Sequence, residues 1–391
     1  MNPITFEGIL CGVEAETSVD VSNLMVYLAQ IPDPRAARGV RYRLVDLLTL
    51  LVLAKLGGED SLRGMAEWVK LRGSELVQLL NLPRNSLPHQ TTYERMLAKL
   101  DVEVVEQQVG AYFAAHSPAE GTINIDGKTL RGSIPAGETQ GVHLLSAYAT
   151  RPGVVLQQCE VDGKANEIST APQLLASLDL RGKLVTGDAM FTQRSLCDQI
   201  VTAGGDYLLA VKANQPHLLE AIAESFLPPP PNHGYPQPPL PTASAETVTK
   251  GHGRLVYRFL DAHSHLVDYL DWPHLAQVFR LQRIRQDPKT GLLNYELCFG
   301  ITSAAHDQMP PECLLDQTRQ HWHIENRLHY VRDVTFHEDA CQIRHTKRQT
   351  ILAALNNLAI GLIRQCDFDF VPDARRYFDL HYQEAYQLLC S

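Results

Sequence analysis

The sequence predicts an α/β protein: a mixed-sheet core, interrupted by a β-rich insertion and preceded by a helical domain. Three observations carry this. Apolar residues recur with a helical period as far as about residue 112, strand-like alternation interleaved with helices begins near residue 115, and a proline cluster after Pro228 breaks the core before further strands. At 391 residues the chain has room for two or three domains. The predicted order is an acidic segment over 1–30, a helical domain over 31–112, a first core part over 115–226, a linker and insertion over 227–305, a second core part over 306–366 and a tail over 367–391.

The elements follow from periodicity and punctuation. After the turn Ile31-Pro32-Asp33-Pro34, Leu44 to Leu56 is apolar enough for a helix buried all round, stopped by Gly57-Gly58. Ser61 offers an N-cap for a helix through Lys70 whose Leu62, Met65, Ala66 and Val69 share a face. Further helices are predicted from Glu75 to Leu80 and from Pro88 onward. Gly121 to Gly127 alternates apolar and polar and delivers Asp126 to the end of a strand. Arg151-Pro152-Gly153 turns a hairpin between Val142–Thr150 and Val154–Val161. A helix over Ala171 to Leu180 leads to Lys183–Asp188, a second strand ending in an acid, and then to a helix through Leu196–Ala203 and the strand Asp206–Lys212. Pro228 to Pro231, Pro236, Pro238, Pro239 and Pro241 exclude a helix or central strand, after which Gly253–Leu260, Gln277–Arg285 and Tyr295–Thr302 read as strands. The helical period returns at Pro311 and runs through Trp322, Glu325 and Leu328, and a long helix over Thr346 to Arg364 closes the core.

Composition narrows the function classes. With 45% apolar and 20% charged residues the chain is an ordinary globular sequence, which excludes wholesale disorder. The longest apolar runs, Leu47–Ala54 and Ile351–Ile363, are too short or interrupted to cross about 30 Å of hydrocarbon, so no membrane helix is expected. No base precedes Arg35, the wrong charge for a secretory signal, and a cytoplasmic location is expected. Eight scattered cysteines without a Cys-x-x-Cys pair argue against a zinc ribbon or a disulfide framework. Lys and Arg number 35 against 44 acids, a net charge of -9 that opposes a uniformly basic nucleic-acid binder. The distribution is uneven, however: residues 1–30 carry four acids and no base, whereas 31–100 carry eleven bases against seven acids. Short helices with Arg35, Arg38, Arg41 and Arg43 ahead of them fit a helix-turn-helix type of DNA reader; a small bundle with a solvated basic face is the plainer alternative.

Asp126 and Asp188 end neighbouring core strands and Glu325 lies on a later helix, three hard oxygen donors of the kind that hold Mg²⁺ or Mn²⁺, with two ions expected. A lone Asp at a strand end is more often a turn or cap residue; the triple arrangement in α/β order favours metals. Seven ordered blocks surround these acids: Asp33-Pro34-Arg35, Ile125-Asp126-Gly127-Lys128, Lys164-Ala165-Asn166-Glu167-Ile168, Thr186-Gly187-Asp188-Ala189-Met190, Val211-Lys212-Ala213-Asn214-Gln215, His252-Gly253-Arg254 and His321-Trp322-His323-Ile324-Glu325-Asn326. Together they resemble the DDE transposases of bacterial insertion sequences, in particular the ISAs1 group with its H-repeat-associated proteins, from about Ile31 to Arg364. The resemblance implies a ribonuclease-H-like core and a metal triad of Asp126, Asp188 and Glu325, at intervals of 62 and 137 residues with a β insertion in the longer one. It also implies cleavage and joining of DNA strands at element ends, with double-stranded DNA as partner, both terminal repeats and target, and a homodimer on that DNA. Related transposases carry Tyr-x2-Arg-x3-Glu-x6-Lys around the Glu; Thr318, His321 and Arg332 stand at those positions here.

Several further residues are expected to touch DNA: Lys128 and Arg131 beyond Asp126, Lys212, Asn214 and Gln215 at the next strand end, Arg332, and Arg344, Lys347 and Arg348 beyond the catalytic helix. Trp322, three residues before Glu325, could stack on an unpaired base, with a buried core tryptophan as the alternative. Glu338 or Asp339 as the third ligand, and zinc at His321, Glu325 and His329, stay open. So do two other functions, a DNA-binding regulator that has lost catalysis and a nuclease that cuts without joining.

Overall fold

The computed structural model describes residues 23–390 apart from 39, 83–85, 135–136, 138–139, 162–165, 229–241, 252–253, 288–289, 342, 344, 367 and 369. The acidic residues 1–22, most of the proline cluster, Lys164-Ala165, His252-Gly253 and Arg344 therefore lie outside the described residues.

Six helices come first: α1 (Leu24–Ala29), α2 (Leu44–Leu56), α3 (Leu62–Leu71), α4 (Gly73–Leu79), α5 (Gln90–Leu97) and α6 (Val102–Ala115). Within α2 every residue but Val45 is buried, as a helix apolar on all sides must be. Ser61 caps α3 by accepting from the Gly64 amide at 3.0 Å. Then follow β1 (Gly121–Thr129), β2 (His143–Ala149), β3 (Val154–Glu160), α7 (Glu167–Ala176), β4 (Lys183–Gly187), α8 (Arg194–Thr202), β5 (Asp206–Val211) and α9 (Pro216–Ser225). A meander of β6 (Ala243–Gly251), β7 (Arg254–His263), β8 (Gln277–Gln286) and β9 (Leu293–Thr302) precedes α10 (Pro311–Gln320), a π-helical turn (Ile324–His329) and α11 (Tyr330–Val334). The chain ends with α12 (Thr346–Arg364), α13 (Val371–Leu380) and α14 (Tyr382–Cys390).

All nine strands form one sheet in the order β3-β2-β1-β4-β5-β9-β8-β7-β6. Strands β1, β4 and β5 are parallel, flanked on one side by the antiparallel β1-β2-β3 meander, which is a ribonuclease-H-like core. The inserted strands do not make a separate sheet: β9 pairs antiparallel with β5, from Leu208 opposite Thr302 to Val211 opposite Phe299. The side chains of Thr122 and Asn124 on β1 reach α10, where Thr122 Oγ1 donates to Gln317 Oε1 at 2.7 Å and Asn124 Nδ2 donates to the Gln320 carbonyl at 2.9 Å. The opposite face lies against α7, so close that a Cβ on Gly127 would sit 2.4 Å from the Glu167 carboxyl carbon.

The helical layer is fused to the sheet by α12, which is buried from Gln349 to Ile363 and packs on α2, α6 and β3. A buried polar chain crosses this junction. Lys55 Nζ of α2 donates to Asn356 Oδ1 at 2.6 Å, Asn356 Nδ2 donates to Glu338 Oε1 at 2.8 Å, and Glu338 binds Arg332. Arg332 Nη1 in turn meets Gln158 Oε1 at 2.9 Å, and Gln158 Nε2 donates to Glu106 Oε1 of α6 at 2.7 Å. Residues beyond 366, expected as a tail, instead supply two packed helices: α13 and α14 lie on α2, and Asp379 accepts from Trp68 Nε1 at 2.7 Å and from Arg72.

Candidate active site

Three elements converge at the carboxyl ends of the parallel strands. Ile125 of β1 is paired with Gly187 of β4, so the next residues along, Asp126 and Asp188, stand side by side where that parallel pairing ends, Asp188 past the end of β4 and Asp126 within β1, which runs on to Thr129 paired with β2. Asp126 Oδ1 accepts from the Gly127 amide at 2.9 Å. Glu325 belongs to the π-helical turn, in which the widened spacing sets Glu325 and His329 on one face toward β1; such turns often mark functional sites. Ligand atoms of Asp126, Glu325 and His329 all lie within 4.8 Å of one another. His329 Nδ1 is 3.5 Å from Asp126 Oδ2 and 3.3 Å from Glu325 Oε2. Asp188 has its own histidine, with His321 Nε2 3.5 Å from its Oδ1, while His321 Nδ1 is held at 3.0 Å from Thr186 Oγ1. The two histidines thus serve different carboxylates, and the grouping of His321, Glu325 and His329 as a zinc site is not formed.

The carboxylates differ electrostatically. Burial pushes Asp126 above the ordinary carboxylate range, with His329 and the Gly127 amide opposing and Asp188 adding to the rise. A hydrogen bond from His321 holds Asp188 below that range, and one from His329 does the same for Glu325. A desolvated acid beside a second acid is a pair that a divalent cation relieves, and oxygen donors are what Mg²⁺ or Mn²⁺ takes. The donor set fits such an ion at Asp126 and Glu325, with Asp188 at the adjacent strand end.

The other expected residues fall into three groups. Some are held inside the protein: Arg332 is fully buried with its Nη2 2.8 Å from Glu338 Oε2, so it is placed on a core carboxylate and not on DNA phosphate. Glu338, bound by Arg332 and Asn356, is equally occupied and is not part of the Asp126–Glu325–His329 group. Lys128 is buried with its Nζ 2.6 Å from Asp333 Oδ1, and Asp339 accepts from the Arg131 amide at 3.2 Å while the Arg131 side chain stays exposed. A second group supports the site. Asn214 Nδ2 donates to the Ala189 carbonyl at 2.7 Å and Gln215 Nε2 to the Thr192 carbonyl at 2.8 Å, pinning the loop that carries Asp188. Lys212 is exposed and close enough to lower the Asp188 pKa. The third group is open to solvent: Trp322 is 51% exposed, which removes the core-tryptophan reading. Arg38, Arg41 and Lys347 are exposed and Arg348 is half-buried, whereas Arg35 is tied to Asp33 at 2.6 Å and Arg43 to Asp46 at 2.7 Å. The arrangement has a part that sequence reasoning passed over, the pairing of Asn124 with Thr186, whose hydroxyl donates to Asn124 Oδ1 at 2.8 Å and locks β1 to β4 just below the acids. The alternation Thr122, Asn124, Asp126 carried that signal, since polar residues two apart share a face.

Comparison with known proteins gives the family. Residues 118–362 match the family model described as a transposase DDE domain, and residues 25–113 match the model described as DDE_Tnp_1-associated. "H repeat-associated putative transposase YhhI" of Escherichia coli K12 is 30% identical over 365 residues, covering 88% of this chain and 91% of that one. "Putative transposase YncI" of Escherichia coli O157:H7 is 31% identical, covering 89% of each. "Putative protein YbfL" of Escherichia coli K12 is 31% identical over 363 residues, covering 88% of this chain and 91% of its own. A strand order with two acids side by side at its centre, a glutamate close to the first of them and family matches over nearly the whole length lead to one assignment: the chain belongs to the DDE transposases, of the H-repeat-associated type.

Proposed function

We propose that the protein cuts DNA strands at the ends of an insertion sequence and joins them to target DNA, using Asp126, Asp188 and Glu325 as its catalytic carboxylates. The observation that supports the reading is that ligand atoms of Asp126 and Glu325 lie within 4.8 Å of one another, with Asp188 one residue beyond the Ile125–Gly187 pair that joins β1 to β4. Two Mg²⁺ or Mn²⁺ ions bound there would supply the Lewis acidity for in-line displacement at a phosphodiester. The chain's own part is placement. The Asn124–Thr186 hydrogen bond fixes the spacing of the two strands, His329 and His321 orient the carboxylates, and the Asn214 and Gln215 contacts hold the Asp188 loop. Lys212, exposed near Asp188, is set to meet a phosphate of the bound strand, and Trp322, exposed on the other side of the catalytic turn, a base. Arg38, Arg41 and Lys347 would hold more distant duplex, with the protein working as a dimer on its DNA.

The test is Mg²⁺-dependent nicking and strand transfer on DNA carrying the element's terminal repeats, for the unaltered protein and for Asp126→Asn, Asp188→Asn and Glu325→Gln. Each substitution should abolish both reactions while leaving DNA binding in place. Equal activity in all four proteins would remove the assignment, and nicking without transfer would make the protein a nuclease.

A further inference from the structure

A groove of about 810 Å³ runs along the side of the catalytic turn lined by Trp322, His323, Asn326 and Arg327, not by Glu325 and His329. Arg258 of β7 and Arg283 and Arg285 of β8 line it from the inserted strands. Arg319 and Arg327 enter from α10 and the π-helical turn, and Arg151 and Arg364 from the β2–β3 turn and the end of α12. Among the described lining residues, Asp316 is the one carboxylate facing these seven arginines. Glu296, just outside, reaches Arg283 and Arg285 at 3.0 Å each and offsets part of the charge.

Such an array is costly to hold empty. Burial and then the neighbouring Arg319, Arg283 and Arg285 depress the Arg258 pKa, and burial depresses that of Arg364. The Nε donors of Arg258, Arg283 and Arg364 are buried with no hydrogen-bond partner among the described residues, and Arg283 as a whole is only 9% exposed. Guanidinium forks gathered from separate elements, with donors left over, suit successive phosphate groups and exceed what a single anion can use.

We propose that this groove binds the sugar-phosphate backbone of DNA over several consecutive phosphodiesters adjoining the one that is cut. The identity of the polyanion rests on the transposase reading, and the position of the groove does not. It places the principal grip on the DNA between the inserted strands and the catalytic helix, so that the extension of the sheet serves as one wall of the substrate channel.

The test pairs Arg258→Gln with Arg285→Gln, both on strands away from the carboxylates. Anisotropy of a fluorescein-labelled, random-sequence DNA duplex is titrated over a range of NaCl concentrations. The double Gln variant should lose about tenfold in affinity, and its log–log salt slope should fall by about two units, near 0.9 for each phosphate no longer neutralised. The matching double Lys variant keeps both charges and should retain most of the slope, which separates the removal of charge from damage to the fold. An unchanged slope and affinity in a folded double Gln variant would overturn the proposal, as would equal losses in the Lys and Gln forms. Nicking by the unaltered protein reads the function separately. Binding that depends on the groove without any cutting would keep the groove and remove the catalytic reading, and cutting with an unchanged slope in the Gln form would do the reverse.

Discussion

Replacing Glu338 by Gln should destabilise the protein by about 3–5 kcal/mol, because it leaves a buried guanidinium without its counter-charge. The Arg332 side chain has no solvent exposure, and its Nε donates to both Glu338 oxygens at 3.1 and 2.9 Å. Its remaining neutral acceptor, Gln158 Oε1, cannot replace a carboxylate. Glu106 is the nearest substitute, reached through Gln158, but burial lifts its pKa to about 8 and leaves it mostly protonated at neutral pH. Ionising Glu106 in the variant would recover part of the loss, which argues for the lower end, about 3 kcal/mol. Urea unfolding followed by tryptophan fluorescence should show the midpoint falling by about 1 M, for a slope near 3 kcal/mol per molar. The pair variant Arg332→Met with Glu338→Leu should regain most of that stability, since no buried charge remains. Its DNA salt slope should equal that of the unaltered protein. A midpoint unchanged in Glu338→Gln, or a slope about one unit shallower in the pair variant, would refute the placement of Arg332 in the interior and return it to phosphate binding.

Two further outcomes are expected. The raised pKa of Glu106 means that the fold favours its neutral form, a contribution complete below the ordinary value of 4.5 and lost as pH rises through about 8; the stability advantage of Glu106→Gln should therefore widen across that window and level off above it, and a constant difference in urea midpoint would contradict it. Asn214→Ala removes the hydrogen bond that pins the Asp188 loop, so Mg²⁺-dependent nicking should fall by about 10–100-fold with DNA affinity and salt slope intact, whereas the opposite pattern would make Asn214 a DNA contact.

The parts legible in the sequence are those written in local pattern. Alternation ending in an acid places Asp188 at the end of β4, whereas Asp126, expected at a strand end, lies inside β1 because that strand runs on to Thr129 against β2, and dense apolar composition marks α2 and α12 as buried. Long-range pairing left no such trace. Nothing local says that β9 returns to β5, that Arg332 closes on Glu338, or that seven arginines spread between positions 151 and 364 line one groove. Strand β6 escaped notice because small and polar residues beside a proline cluster carry little β signal. The terminal helices did carry one: Val371, Ala374, Phe378, Tyr382, Ala385 and Leu389 recur at steps of three and four, an amphipathic stripe hidden by its high proportion of charged neighbours.

The buried polar chain from Lys55 to Glu106 has a mechanical consequence. Because it ties α2 and α6 to β3, α11 and α12 through buried side chains, the helical layer cannot pivot on the sheet without breaking several buried hydrogen bonds. The molecule is built as a ruler. On the proposed function, DNA held by the N-terminal helices lies at one set distance from Asp126, measured in protein and not in linker, and an insertion of a few base pairs between the held sequence and the cut would have to be absorbed by the DNA.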